Sequence, residues 1–481
     1  MKIAVIGAKG LPAKQGGIER CCQEVYPKMV AQGHSVDLFA RPSYTQTPWF
    51  SSYKYKGVQV ICLPSLSFRG LDALTSSAFA AIASIIKRYD IVHFHAVGPA
   101  LFSWIPRITS STGIVVTCHG LDWQRAKWGR LSSSIIHLGE KVAVNYAHEL
   151  VVVSNNLKSY FWKTYGIDTI DIPNAPGIYA ESDPKFPYLK SLSLQQGRYI
   201  LFLGRLVPEK RPDLLIEAFQ SLKPRGWKLV LAGGISEMPE FTSKLVNMAA
   251  GNNDILFTGE LQGSRLSEIM RGAGIFVLPS DLEGMPLVML EAMREGIPVV
   301  ASDIPPHRQL VGQERGLLFE TGNPNSCVRC LAQGIQQPLE LAKMAKKAQR
   351  YVQANYNWEK ITADHLALYA KVTDSPVVIT QQTNDSIQQP TTELKVSLGK
   401  EFQSTLKPKA MTMTPEKRQR LQACLQELTT LLYEETNSRE PTDAENLEKT
   451  LRKQILEQVN FQLDLLLSSK PQELNKVPLE K

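Results

Sequence analysis

No apolar run in the 481 residues is long enough to cross a bilayer. The longest, around residues 78–86, falls far short of the roughly 20 residues a spanning helix needs. The opening Met1-Lys2-Ile3-Ala4-Val5-Ile6-Gly7 reads as a strand and a glycine loop, not as a basic segment with a long apolar core, so no secretion signal is expected. Cysteine is sparse: seven, odd in number and scattered, which excludes a disulfide framework. Cys327 and Cys330 form a Cys-x-x-Cys without the second pair a zinc site needs, and no other metal site is indicated. The net charge of +8 is mild and is not gathered into one basic block, so nucleic acid is not an expected partner. Gly7, Gly10, Gly16 and Gly17 lack the three-glycine spacing of a dinucleotide fingerprint, which argues against a dehydrogenase. A cytoplasmic protein, touching at most the inner face of a membrane, is the expectation.

What is present is alternation. Strand-like runs at 3–6, 36–39, 58–63, 91–94, 114–117 and 150–153 are separated by helical patterns such as 21–32, 71–88 and 131–147. That pattern predicts a parallel sheet covered on both faces. After a short strand at 168–172, a polar, proline-bearing stretch spans 176–197, and the pattern then restarts with strands at 199–203, 228–232, 255–258, 275–278 and 298–301. Two α/β units leave a cleft, a preferred place for ligands.

Two loops carry the chemistry. Gly204-Arg205-Leu206-Val207-Pro208-Glu209-Lys210-Arg211-Pro212 follows a buried strand and precedes an amphipathic helix, which places cations at the carboxyl end of the sheet. Arg205 and Lys210 there suit a diphosphate whose negative charge grows as it leaves. The segment Glu283-Gly284-Met285-Pro286-Leu287-Val288-Met289-Leu290-Glu291 follows the apolar run ending in Val277-Leu278. Pro286 is predicted to open a helix, Gly284 permits close approach of a ligand, and the helix start attracts phosphate. Glu283 and Glu291 suit sugar hydroxyls. Phosphate and hydroxyls together point to a nucleotide-sugar.

These residues resemble the family 4 retaining glycosyltransferases of GT-B architecture. The resemblance covers residues 1–372 and is carried by Gly16-Gly17-Ile18-Glu19, His119-Gly120, Gly204-Arg205, Glu209-Lys210, the Glu283/Glu291 pair, Glu291-Ala292-Met293 and Gly296-Ile297-Pro298-Val299-Val300-Ala301. It implies two Rossmann-like domains facing a cleft: an acceptor domain over 1–175, a linker over 176–197, a nucleotide-sugar domain over 198–357, and a return helix over 358–372 that crosses back onto the first domain. It further implies transfer of a hexosyl group from a nucleoside-diphosphate sugar to a glycan or lipid-linked hydroxyl, with retention and without a resident cofactor. Arg205 and Lys210 are then expected to stabilise the leaving diphosphate, Glu291 to hold the ribose, Glu283 to orient the sugar and His119 to contact it. Gly16, Gly17, Gly284 and Met285 complete the expected donor site. The sequence has no Asp-x-Asp motif, in keeping with a clamp of side chains in place of a metal.

The stretch His119-Gly120-Leu121-Asp122-Trp123-Gln124-Arg125-Ala126-Lys127-Trp128, with the opening Gly-Gly-Ile-Glu, is similar to bacterial rhamnosyltransferases of surface-polysaccharide assembly. Trp123, Arg125, Lys127 and Trp128 are candidate acceptor contacts, an aromatic platform beside cations. His93 and His95 alternate on a strand and read equally as structural or as acceptor-side residues. One segment departs from the family pattern: Asp303-Ile304-Pro305-Pro306-His307-Arg308-Gln309 stands where many relatives have a glycine-rich turn and an acid.

Past the resemblance, residues 373–410 are rich in Thr, Gln, Ser and Pro and read as a flexible linker. Leucine-faced patterns on either side of Asn437-Ser438-Arg439-Glu440-Pro441 predict an appended helical hairpin over 411–470, expected to self-associate or bind a partner. Two other functions fit the same plan: a nucleotide-sugar epimerase, and a noncatalytic scaffold acting through the hairpin.

Overall fold

Strands that are apolar on both faces need cover on both faces, and the chain supplies it twice. The computed structural model describes residues 1–374, apart from 15, 66–70, 126 and 235–237. Its first sheet holds β1 (Lys2–Ile6), β2 (Ser35–Ala40), β3 (Ser52–Tyr55), β4 (Val58–Cys62), β5 (Ile91–His95), β6 (Gly113–Cys118), β7 (Glu149–Val152) and β8 (Ile170–Asp171), in the order β3-β4-β2-β1-β5-β6-β7-β8. The second holds β9 (Tyr199–Leu203), β10 (Lys228–Ala232), β11 (Ile255–Gly259), β12 (Ile275–Leu278), β13 (Val299–Ser302) and β14 (Leu317–Phe319), in the order β11-β10-β9-β12-β13-β14. Every pairing is parallel except β3 with β4.

Each sheet reverses its strand order once, between β1 and β5 in the first and between β9 and β12 in the second. Loops leaving the carboxyl ends diverge at such a switch point and open a crevice. In the second sheet that crevice is flanked by the loops after β9 and β12, the two that carry the candidate chemistry. This is the GT-B architecture of two Rossmann-like halves.

Two strands, β3 and β14, differ from the expected set. β3 is an edge strand whose residues alternate between exposed and half-buried, so it lacks the apolar signature, and it forms a hairpin with β4 through Lys56-Gly57. β14 has only three residues, too few for a periodic signal. The first helix also starts earlier than its apolar pattern, at Gly17 (Gly17–Ala31). Pro286 is not the first helical residue as predicted; it sits extended, with ψ of 93°, just ahead of helix Leu287–Arg294.

The last described helix, Trp358–Asp374, crosses back onto the first half. Trp358 Nε1 donates to Pro176 O at 3.1 Å, Lys28 pairs with Glu359 at 2.7 Å, and Tyr369 is buried against β5. Burying side chains as large as Tyr26, Phe94 and Tyr369 contributes about 1.5–3 kcal/mol each, so this helix is part of the first core. The linker and hairpin expected beyond residue 374 lie outside the described residues. Among the described residues no helix is long and apolar enough to cross a membrane.

Candidate functional site

Because β9 and β12 are neighbours, Lys210 and Glu283 meet across 73 residues of sequence, Lys210 Nζ donating to Glu283 Oε1 at 2.7 Å. Both side chains are largely buried, and Ser280 Oγ donates to the same oxygen at 2.8 Å. Burial alone would raise the Glu283 carboxyl, but Lys210, His307 and Ser280 outweigh it and hold the group below its usual range. The side chain of Arg205, half-buried on the same β9 loop, has no hydrogen bond or ion pair among the described residues. The site therefore holds one cation committed to a carboxylate and one uncommitted.

Glu291 faces the linker. Its Oε2 accepts from Tyr179 Oη at 2.8 Å and its Oε1 from the Gly177 amide at 3.3 Å. Burial raises its carboxyl, against the pull of Tyr179, Arg20, Gly177 and Arg294. Two of its roughly four acceptor positions are thus taken by the protein, and the rest remain for a ligand. Met285 is buried, its sulfur accepting from the Asn174 amide at 3.3 Å.

The first half closes on this site through two glycine contacts. A Cβ on Gly284 would lie 1.9 Å from His119 O, so the close approach that Gly284 permits is taken up by the His119-Gly120 backbone. A Cβ on Gly17 would lie 3.4 Å from Leu287 Cδ1, which sets the two helix starts against each other. Gly16 has φ of 103°, and Glu19 occupies the space where its Cβ would be, reaching back to accept the Lys9 amide at 2.9 Å. The Gly-Gly-Ile-Glu signature is thereby explained as a self-closing loop.

His119 lies at the carboxyl edge of β6 with Nε2 2.9 Å from His95 Nδ1, and burial pushes it down to about 4, so its ring is neutral at pH 7. His93 and His95 are fully buried on β5 and hydrogen-bond to Tyr26, Tyr369 and Thr117. Arg125 Nε donates to Asp122 Oδ1 at 2.7 Å and also feels Glu283 and Glu209 of the opposite half.

The aromatic residues beside it are arranged differently from an open platform. Trp123 stacks on His137 at 5.0 Å and donates its Nε1 to Glu140, a fully buried carboxylate that also accepts from Tyr160 and Tyr165. Lys127 lies 4.5 Å over the Trp128 ring. Trp123 thus anchors the loop, and Trp128 already has a cation on its ring.

Sequence reasoning missed His307. It is fully buried near Glu283 and Lys210, with Nδ1 2.9 Å from Ser302 O and Nε2 without a partner among the described residues. Its only signal was its place in the segment that departs from the family pattern.

An acid-stability prediction follows from these histidines. Burial lowers His119 and His307 from 6.5 to about 4, and lowers His93, His95 and His365 as well. The unfolded chain therefore binds protons that the folded one refuses between those values. Stability is fully present above pH 6.5 and is lost as pH falls toward 4. Glu283 adds to that loss, while the raised Glu291 and Asp171 oppose it. The thermal midpoint should drop by roughly 10 °C or more across this window. A flat profile in calorimetry would mean that the histidines are not held neutral.

Comparison with known proteins agrees with this geometry. Residues 15–175 match the model of Glycosyltransferase Family 4, and residues 189–353 match that of Glycosyl transferases group 1. An uncharacterized glycosyltransferase of Methanocaldococcus jannaschii is 25% identical over 399 residues, covering 77% of this chain and 98% of that one. D-inositol 3-phosphate glycosyltransferase of Gordonia bronchialis is 25% identical over 412 residues, covering 78% and 89%. Among solved structures, sucrose-phosphate synthase from Thermosynechococcus elongatus superposes with a TM-score of 0.66 at 21% identity, covering 77% and 98%. HepE from Anabaena, in complex with UDP and glucose, gives 0.62 at 19%, covering 77% and 100%. With both halves matched in chain order and the two-sheet architecture in place, the chain is a family 4-like glycosyltransferase of GT-B type.

Proposed function

We propose that this enzyme moves a hexosyl group from a nucleoside-diphosphate sugar to a hydroxyl of a glycan or lipid-linked glycan, with retention at the anomeric carbon. The observation that carries the reading is the Lys210–Glu283 pair at the switch point, with Arg205 on the same β9 loop, closed from above by His119-Gly120 against Gly284. As the bond from the anomeric carbon to the diphosphate breaks, charge grows on the leaving oxygens; Lys210, held in place by Glu283, meets it with little reorganisation, and Arg205 is free to turn toward it. In this reading side chains neutralise the diphosphate and no resident cofactor takes part.

Glu283, oriented by Lys210 and Ser280, takes a sugar hydroxyl, and Glu291 takes the ribose with its remaining acceptor positions. His119 contacts the transferred sugar. Arg125 reaches toward the acids of the other half from the acceptor side. A rhamnosyl donor and a polysaccharide acceptor at the inner membrane face are the narrower form of the proposal, supported by the Gly16–Glu19 loop and the 119–128 stretch.

The test is a panel of UDP-, GDP- and dTDP-sugars, rhamnosyl donors included, read by thermal shift. A ligand that binds only the native state raises the midpoint. The matching donor should then release free nucleoside diphosphate only when an acceptor glycan is added. Conversion of the donor without any acceptor would replace this reading by epimerisation, and no shift with any member would remove the nucleotide-sugar assignment.

A further inference from the structure

A buried chain of hydrogen bonds runs from the return helix to the cleft. Tyr369 Oη lies 2.6 Å from His93 Nδ1, and His93 Nε2 lies 2.7 Å from Thr117 Oγ1. Tyr26 Oη lies 2.6 Å from His95 Nε2 and 3.1 Å from His93 Nδ1. His95 Nδ1 then lies 2.9 Å from His119 Nε2. The rings of His93, His95 and His119 are stacked in series, at 4.2 and 5.2 Å.

The proton on each link can be assigned. Burial keeps all three imidazoles neutral and both phenols protonated, so each imidazole has one N–H and one lone pair. A hydrogen bond is strongest when the more acidic partner donates to the more basic one, and here that means phenol to imidazole. At the two shortest phenol contacts Tyr369 therefore donates to His93 Nδ1, and Tyr26 donates to His95 Nε2. His93 is left with its proton on Nε2, which donates to Thr117. His95 is left with its proton on Nδ1, which donates to His119 Nε2. The 3.1 Å contact of Tyr26 with His93 Nδ1 is then the weaker branch of a hydrogen bond that Tyr26 directs mainly to His95. The remaining proton of His119 must sit on Nδ1, which has no partner among the described residues.

We propose that Tyr26 and Tyr369 are positioning residues that hold His119 as its neutral Nδ1–H tautomer, so that the ring offers a sugar oxygen a donor and not a lone pair. This rests on the reading in which His119 contacts the transferred sugar. Tyr26 sets His95 and through it His119. Tyr369, on the helix that returns from the second half, satisfies His93 and leaves the Tyr26 proton to His95.

The experiment has two arms on the full chain. Long-range proton–nitrogen correlation with labelled histidine, of which the sequence has eight, reports the tautomer of each ring. In the wild type His119 should show a pyrrole-type Nδ1 and a pyridine-type Nε2. In the second arm Tyr26→Phe should lower kcat about tenfold, the value of one neutral hydrogen bond, with an unchanged KM for the donor. Tyr369→Phe should mix the tautomers of His95 and His119 and give a smaller loss. Thermal melts establish that the variants are folded, and the wild-type tautomer stands independently of them. A proton on Nε2 of His119, or full kcat in folded Tyr26→Phe, overturns the proposal. His119→Ala separates this from the broader reading: full turnover in that variant, with Lys210→Ala inactive, removes the role of His119 and leaves the diphosphate assignment standing.

Discussion

Arg205→Ala and Lys210→Ala should each lower turnover by about a hundredfold or more, because in the proposed reaction both cations face charge that grows only in the transition state. The two variants should differ in stability. Arg205 has no partner among the described residues, so its removal should leave the thermal midpoint near the wild-type value. Lys210 is paired with Glu283, and both are largely buried. Its removal leaves a buried carboxylate with Ser280 as its remaining hydrogen-bond donor, and breaking such a pair costs about 3–5 kcal/mol. Adding Glu283→Gln to Lys210→Ala should recover much of the midpoint and none of the activity, since the neutral amide no longer needs the cation. Steady-state kinetics and thermal melts on the four proteins make the comparison. Near-normal turnover in both single variants would end the diphosphate assignment.

Gly284→Ala should be nearly as damaging, although it removes no charge. The added Cβ would sit 1.9 Å from His119 O and 3.1 Å from Gly120 Cα, so the two loops must part by about an ångström or more. Misplacement on that scale costs on the order of a hundredfold in rate when reacting groups must be held in register. The loss should fall on kcat/KM, with weaker donor binding, while the midpoint changes little. Gly129→Ala is the matched control: it follows the 119–128 stretch and a Cβ there meets nothing within 4 Å. Equal activity of Gly284→Ala and wild type would show that the cleft does not work in this closed arrangement.

Much of the frame was legible because parallel strands buried on both faces are short apolar runs. Tyr199–Leu203 and Ile275–Leu278 carry that signal along their whole length and Lys228–Ala232 carries it in all but its first residue, and the bounds of all three were legible to the residue. Ser52–Tyr55 has it nowhere, since an edge strand exposes one side and pairs through its backbone. Helix starts were less legible than helix bodies. Gly16 and Gly17 open a helix whose buried apolar residues begin at Cys21, with Ile18 half-buried before them, and Pro286 precedes its helix instead of entering it.

By itself the sequence determined the residue types and the loops that carry them: cations after β9, carboxylates eight residues apart on either side of a helix start, a histidine and a glycine after β6. Chain order, strand polarity and loop chemistry are local properties, and local properties are written in consecutive residues. Only the tertiary structure decided which groups meet. Lys210 reaches Glu283 because the sheet places β9 beside β12, a pairing that depends on strand order. Glu291 is shared with the linker through Tyr179, and Trp123 turns inward because Glu140, in a helix 17 residues on, needs a donor. His93, His95 and His119 are an unremarkable scatter in one dimension. They become a single hydrogen-bonded column once β5, β6, the first helix and the last are packed together, because burial makes each imidazole neutral and obliges it to find a partner.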